Sequence, residues 1–370
     1  MNPWIRKSSH TMITLAQFFL LLAVLFAGDY SLGDIKVAPF IVFVAMSYVL
    51  LGKPRLRKEE VLSFALIILF SVTLVVSSIV NYGDGIYQFW FLIPMLAVLF
   101  IRDFLYIDVQ SIWVVVIGIA VILVMMQVYW LTSGGVRGRA VFGPNILYRV
   151  FVLLAVLSYF RLHGSVKYIV FMTCFVGIAL TGSRGGLVVG LLTLMAIIMS
   201  SARWNLNIKH VIPIFLASLL VYLMLLYGDF AKFVLGRLFL MSGGSIDGRL
   251  AFMEQALIFF NAEFFDLIFG FGVYPNEIFS FYPHNIFLEL LVSHGMLPIS
   301  LFFLVLIYVF LSAIFNRRTI SRDQRFIFVV LVMFLSSSQF SGSFYDNWVC
   351  VSLAFSLFGS FLVNKHGMQI

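Results

Sequence analysis

Charged residues are scarce in this chain of 370 residues. Asp, Glu, Lys and Arg together make up only 11 % of it, whereas hydrophobic residues make up 62 %. A soluble domain carries about 25 % charged residues, because its surface must interact with water. The shortage of charge therefore excludes a soluble protein and predicts a surface that mostly faces lipid.

Cysteine and the common metal- and nucleotide-binding motifs are nearly absent as well. The two cysteines, Cys174 and Cys350, lie in apolar stretches without a Cys-x-x-Cys sequence, so neither a disulfide framework nor a zinc site is expected. No Asp-x-Asp sequence is present to hold a divalent metal, and no Walker motif is present to bind ATP. We therefore expect no metal and no cofactor.

The net charge of +8 does not indicate a nucleic-acid-binding protein. Such proteins gather their Lys and Arg residues on one face. Here the basic residues lie in short loops between apolar segments, where they determine membrane topology. The expected surroundings are membrane lipid, with no nucleic-acid partner.

Apolar segments of about 16–20 residues recur along the whole chain, and this length lets a helix cross a hydrocarbon core of ~30 Å. Helices satisfy their own backbone hydrogen bonds in lipid, so these segments indicate helices. We predict an all-α polytopic membrane protein with about twelve transmembrane helices. They lie at residues 11–27, 37–51, 61–80, 86–101, 111–131, 145–160, 167–182, 185–201, 210–227, 285–315, 326–340 and 347–363.

The basic residues orient these helices. Loops on the side of the N-terminus hold about two thirds of the 24 Lys and Arg residues. Because basic loops stay in the cytoplasm, both termini are expected there. The first segment has no small-residue cleavage motif, so we interpret it as a retained helix rather than a signal peptide.

One connection, on the outer side, is much longer than the others. It divides the chain into helices 1–9 at residues 1–227, a long loop at 228–283, and helices 10–12 at residues 284–370. The loop contains too many aromatic residues for a disordered segment. The stretch that begins at Arg249 has the pattern of an amphipathic helix lying at the membrane interface.

Ionisable residues in or beside a membrane span are candidates for function, because charge is costly in a bilayer. Arg184 follows a short stretch of small residues that separates two apolar segments. Its guanidinium has a donor geometry that suits phosphate oxygens. The alternative is a tight turn whose arginine extends to lipid headgroups. The other candidates in or beside a span are Arg149, His284, Glu289 and His294.

Three more arginines lie in outer loops. Arg249 follows a glycine-rich turn, and a cation at a helix N-terminus is unfavourable unless an anion binds there. A solvated Arg249 paired with Asp247 is the alternative. Arg137 and Arg139 add positive charge to the outer side, or serve only to set topology.

His284 is the histidine at the predicted outer edge of the membrane, in the sequence Tyr-Pro-His-Asn. An imidazole with a pKa of about 6.5 suits a general base at neutral pH. The alternative is a polar residue at a helix start, with Asn285 as the cap.

Taken in order, these motifs resemble the O-antigen ligase and polymerase superfamily of bacterial envelope glycosyltransferases. The resemblance covers about half of the chain, residues 134–315. It is carried by Thr-Gly-Ser-Arg184-Gly-Gly, Asp-Gly-Arg249, Gly270-x-Gly272, His284-Asn285 and Gly295.

The resemblance implies a metal-independent, inverting glycosyltransferase of the GT-C type in the bacterial inner membrane. Such an enzyme transfers a glycan from undecaprenyl pyrophosphate to a hydroxyl acceptor at the periplasmic face. By the same resemblance, Arg184 and Arg249 hold the pyrophosphate and His284 activates the acceptor. Arg137, Arg139 and Arg149 are further candidate phosphate ligands.

Two departures from the ligase pattern, Val188 and Pro298, favour a polymerase, whose acceptor is a carrier-linked repeat unit. An O-antigen ligase, whose acceptor is lipid A–core, is the alternative. A lipid-linked oligosaccharide flippase is a third hypothesis, which places functional charges on both leaflets. A chain-length regulator is a further candidate partner.

Overall fold

The computed structural model describes residues 11–19, 31–32, 35–36, 58–82, 109–132, 144–181, 183–200, 263–271, 285–339 and 348–366. The all-α prediction holds for these ranges apart from a short antiparallel ribbon. Its strands are β1 (Ser31–Leu32) and β2 (Ile35–Lys36), with Ser31 paired to Lys36. The chain divides into two compact units.

The first unit contains the described residues 11–19 and five helices. A 3₁₀ turn (Val109–Ile112) leads into α2, and the helices are α2 (Trp113–Thr132), α3 (Pro144–Arg161), α4 (Gly164–Leu180), α5 (Arg184–Ser200) and α9 (Arg322–Ser337). Helix α3 packs against α4, α5 and α9. It is buried on most sides, as expected for a helix that is apolar all round.

The second unit contains the ribbon and five further helices. They are α1 (Lys58–Tyr82), α6 (Phe264–Phe269), α7 (Ile286–His294), α8 (Met296–Phe315) and α10 (Trp348–His366). Helix α1 contacts the other four. The Phe70 ring lies 6.3 Å from that of Phe302 in α8 and 5.6 Å from that of Phe355 in α10, so aromatic packing forms much of this core.

Two described helices, Val109–Trp130 and Met296–Phe315, are long and apolar enough to cross a membrane. Shorter apolar helices lie at Val61–Ser77, Gly164–Leu180, Gly185–Ser200 and Val349–Val363. The predicted helix positions at 61–80, 111–131, 145–160, 167–182, 185–201, 326–340 and 347–363 are confirmed to within about four residues. The predicted segments 37–51, 86–101 and 210–227 and the amphipathic stretch after Arg249 lie outside the described residues.

The prediction of one continuous helix over residues 285–315 is wrong. The helix breaks at Gly295, whose φ of 78° is in the left-handed region, and continues as a separate helix. Helix α7 then folds back along α8, since the rings of Phe287 and Phe303 stack with centroids 4.7 Å apart. In one straight helix those residues would be about 24 Å apart, so α7 and α8 form an antiparallel hairpin.

Candidate functional site

The structure describes the backbone of one of the five predicted site residues. Arg184 is the first residue of α5, directly after the break that follows α4. His284, Arg249, Arg137 and Arg139 lie outside the described residues, and their roles stay predictions. The structure describes helix α5, which begins with Arg184, and helix α7, which follows His284.

The small-residue motif before Arg184 joins the end of one helix to the start of the next. Thr181 donates its hydroxyl hydrogen to the carbonyl of Ile178 (2.7 Å) and accepts a hydrogen bond from the Ser183 N–H (3.3 Å). Ser183 then caps α5, because its Oγ accepts from the Gly186 N–H at 3.2 Å. Arg184 thus occupies the first position of α5, where a cation is unfavourable unless an anion is near.

Gly186, in the same motif, has a packing role that the sequence did not indicate. A Cβ at this position would lie 2.8 Å from Cγ of Tyr148, so a side chain would collide with the Tyr148 ring. The glycine therefore lets the first turn of α5 lie directly against α3. This contact places the beginnings of α3 and α5 at the same end of the first unit.

Asn285 caps α7, as expected in the alternative interpretation of the Tyr-Pro-His-Asn sequence. Its Oδ1 accepts hydrogen bonds from the N–H groups of Phe287 (3.0 Å) and Leu288 (3.1 Å), and the Ile286 N–H donates to the Ser338 carbonyl (3.3 Å). These bonds satisfy the first N–H groups of α7, which a helix start would otherwise leave without partners. The N-terminus of α7 is thereby occupied by the protein itself, which leaves it unsuited to bind a phosphate.

A family model described as O-antigen ligase matches residues 169–303. Residues 169–303, just over a third of the chain, are thus similar to that family and are hereafter called the O-antigen ligase domain. The resemblance noted from the motifs is confirmed, and the domain range contains Arg184, Arg249 and His284. A search of curated proteins finds no significant match.

The O-antigen ligase domain ends within the α7–α8 hairpin, and its long loop is attached to that hairpin. The Phe271 N–H donates to the Val292 carbonyl at 2.8 Å. Gly270 and Gly295 lie against each other, and a Cβ at Gly270 would be 2.5 Å from the backbone nitrogen of His294. Residues 270 and 271 of the loop are therefore held tightly against the C-terminal end of α7, the helix that follows His284.

Ser77 contacts the O-antigen ligase domain from outside its range, in α1. Its hydroxyl donates to the carbonyl of Phe269 at the end of α6 and lies 3.5 Å from the carbonyl of Ser293 at the end of α7. One serine thus joins α1, α6 and α7. Sequence reasoning missed it, because a serine in an apolar helix belongs to no motif.

The remaining ionisable candidates are buried. Glu289 and His294 are 2 % and 1 % exposed, and both lie on α7. His294 was expected two to three turns inside a continuous helix; it is instead the last residue of α7, next to the Gly295 break. Among the described residues, no group of three or more His, Cys, Asp or Glu is arranged to hold a metal ion.

Arg149 lies in α3, also outside the domain range, and is 2 % exposed. Its Nε donates to Oγ of Ser337 at 2.5 Å, and the Tyr148 hydroxyl lies 2.9 Å from the same oxygen. Because Tyr148 also contacts Gly186, Arg149 lies at the end of the first unit where α5 begins with Arg184.

Proposed function

We propose that this membrane protein transfers a glycan from undecaprenyl pyrophosphate to a hydroxyl acceptor at the periplasmic face of the bacterial inner membrane. The match of residues 169–303 to the O-antigen ligase family carries the proposal. That range holds Arg184, Arg249 and His284 in the order that the family motifs require. The excess of basic residues in loops on the other side supports cytoplasmic termini.

In this reaction His284 takes the proton from the acceptor hydroxyl as its oxygen attacks the anomeric carbon. The bond between that carbon and the pyrophosphate oxygen breaks, and the pyrophosphate leaves with the electron pair. Arg184 and Arg249, with Arg137 and Arg139 as further candidates, neutralise the charge that develops on it. Such stabilisation is strong in a setting of low dielectric constant. Attack from the face opposite the leaving group inverts the anomeric centre.

In this proposal the start of α7, which follows His284, does not bind the pyrophosphate. Asn285 and Ser338 already occupy the first N–H groups of the helix, so phosphate binding falls to the arginines. General base catalysis contributes about 10²–10⁴ in rate, which makes the loss of this histidine measurable. No protonated acid is required, because pyrophosphate is a good leaving group.

Among such transferases we propose a repeat-unit polymerase, which uses a carrier-linked repeat as the acceptor. Pro298, one departure from the ligase pattern, lies in the first turn of α8, where a missing N–H breaks no helical hydrogen bond. Helix α8 thus accommodates the proline, and the choice of a polymerase rests on the departures from the ligase pattern at Val188 and Pro298. The description of the matching family favours the ligase, which transfers polymer to lipid A–core, as the second candidate.

Complementation of a strain that lacks the gene tests the proposal, with envelope glycans separated on gels. A polymerase is indicated if the deletion leaves lipid A–core with a single repeat and the wild type restores the ladder. A ligase is indicated if the deletion leaves bare core while polymer accumulates on the carrier. The His284→Ala variant is expected not to restore the ladder. The control variant His163→Ala changes an exposed histidine between α3 and α4 and should restore it. Full restoration by His284→Ala would remove the proposed base and favour the flippase.

A further inference from the structure

Basic side chains gather at one end of the first unit, where three helices meet. Helix α3 ends with Arg161, α4 begins at Gly164, and α9 begins with Arg322. The ion pair between Arg161 and Asp323, with an N–O distance of 2.7 Å, joins the ends of α3 and α9. The described basic residues here, called the basic cluster below, are Arg161, Lys167, Arg317, Arg318, Arg322 and Arg325.

Positive charge in the basic cluster greatly exceeds the negative charge beside it. In the part of the first unit that the structure describes, Asp323 is the one acidic residue, and its carboxylate already binds Arg161. Like charges that lie close together repel one another and destabilise the compact state. A bound anion would offset this repulsion, so the basic cluster is a candidate anion site.

Aromatic rings and backbone carbonyls orient the cations of this cluster. The Nζ of Lys167 lies 3.8 Å from the centroid of the Tyr159 ring. The Nη2 of Arg325 donates to the carbonyls of Arg317 (2.8 Å) and Ile320 (3.1 Å), which fixes the segment that leads into α9. Such contacts hold a cation in place without cancelling its charge.

Arg322 adds its charge to that of Lys167. It is the exposed first residue of α9, and it is close enough to Lys167 and Tyr159 for its charge to act on both side chains. Two cations that face one region from different helices can bind the same anionic group. Phosphate oxygens suit this arrangement, because each oxygen accepts charge-assisted hydrogen bonds from ammonium and guanidinium groups.

The surroundings of these two cations match the headgroup region of a membrane. The rings of Tyr159 and Tyr168 lie beside Lys167, and tyrosine is enriched where membrane helices meet water. Ile169, two residues further along α4, is 56 % exposed and offers apolar surface to acyl chains. A phosphate that carries acyl chains uses both the charge and the apolar surface, whereas a free anion or an acidic protein uses only the charge.

We propose that Lys167 and Arg322 form a binding site for the phosphate headgroup of an anionic phospholipid in the cytoplasmic leaflet. Basic pockets between membrane helices on the cytoplasmic side bind such headgroups, and the basic loops predict that this end of the unit is cytoplasmic. The site lies outside the O-antigen ligase domain. It is about 20 Å along α3 from Tyr148, which contacts the start of α5, so it is separate from the proposed donor site.

Native mass spectrometry of the full chain in a neutral detergent tests the proposal, with cardiolipin and phosphatidylethanolamine as probes. The wild type should bind cardiolipin, whose headgroup is purely anionic, more tightly than zwitterionic phosphatidylethanolamine. Lys167→Gln and Arg322→Gln should each weaken cardiolipin binding about tenfold, because each removes a charged hydrogen-bond donor. The matched control is Lys58→Gln at the start of α1, in the second unit, which removes the same charge and should bind as the wild type does.

Melting temperatures show whether each variant is folded, and Arg322→Gln, at an exposed position, tests the site even if Lys167→Gln is unfolded. Equal affinity of the wild type for the two lipids would overturn the proposal, and so would wild-type cardiolipin affinity in the folded variants. An equal loss of affinity in Lys58→Gln would show a general effect of charge and would also overturn it.

Two further probes separate a lipid from other anions. Inorganic phosphate that binds as tightly as cardiolipin would show a site for free anions and would overturn the lipid assignment. Polyglutamate that binds more tightly than cardiolipin would indicate an acidic protein partner and would overturn it as well. The outcome does not depend on the glycan-transfer reaction, so failure of the proposed function would leave this inference standing.

Discussion

Gly270 and Gly295 contact each other backbone to backbone, where the long loop meets the α7–α8 hairpin. Both have a positive φ, 74° and 78°, which glycine adopts far more readily than other residues. A Cβ on Gly295 would lie 2.6 Å from the nitrogen of Gly270, and one on Gly270 would lie 2.5 Å from the nitrogen of His294. The contact fixes this part of the loop to the C-terminal end of α7.

Gly295→Ala is therefore expected to separate the loop from α7 and to abolish complementation. The strained backbone alone costs about 1–3 kcal/mol, and the collision adds to it. Melting temperature and the glycan ladder are the measurements. Gly118→Ala is the matched control, because a Cβ at Gly118, in α2, meets nothing within 4 Å. Normal ladders from Gly295→Ala would contradict the proposed importance of the contact.

Ser77→Ala should lower turnover more than it lowers stability. The lost hydrogen bond is worth about 1 kcal/mol, but it joins α1 to the ends of both α6 and α7. Ser63→Ala is the control on the same helix, because Ser63 donates to the carbonyl of Phe355 in α10 at 3.1 Å. We expect Ser63→Ala to lower the melting temperature without reducing turnover of carrier-linked substrate. Equal turnover in the two variants would show that Ser77 has only a structural role.

Asn285→Ala removes the cap of α7 and should destabilise the helix start by about 1 kcal/mol. Since His284 is the preceding residue, the glycan ladder should shorten or disappear as well. Asn285→Asp keeps an oxygen that can accept from the N–H groups of Phe287 and Leu288, and it should restore most of the activity. Loss of activity in both variants, with stability kept in Asn285→Asp, would indicate that the amide group itself contacts substrate.

Gly186→Ala is expected to disturb the start of α5, where Arg184 lies. The added methyl group would lie within 3 Å of the Tyr148 ring, so α5 must move away from α3. Gly190→Ala, one turn further along α5, meets its nearest neighbour at 3.5 Å and should be tolerated. Binding of undecaprenyl pyrophosphate should weaken in the first variant only, and equal binding in both would contradict a link between this packing and the donor site.

The positions of the helices could be predicted from the sequence, because length and continuous apolar character determine where a chain forms helices in lipid. The cap at Asn285 was equally predictable, since asparagine before an apolar run is a local signal. The break at Gly295 was not, because glycine is tolerated both inside a helix and at a turn. Contact with Ile268 and Gly270, distant in sequence, decides between them.

The buried contacts around the candidate site likewise include one residue that the sequence indicated and one that it did not. Arg149 could be noticed as a charge within an apolar segment, but its partner Ser337 lies far along the chain. Ser77 had no local signal at all, because its partners are two backbone carbonyls in other helices. Hydropathy locates the helices, whereas these long-range polar contacts depend on how the helices pack.

The α7–α8 hairpin also separates the number of helices from the number of membrane crossings. Helix α7 has 9 residues. At 1.5 Å per residue such a helix is about 13.5 Å long, less than half of a hydrocarbon core of ~30 Å. Of the two helices in the hairpin, only α8 is long and apolar enough to cross a membrane, so the hairpin adds two helices but at most one crossing.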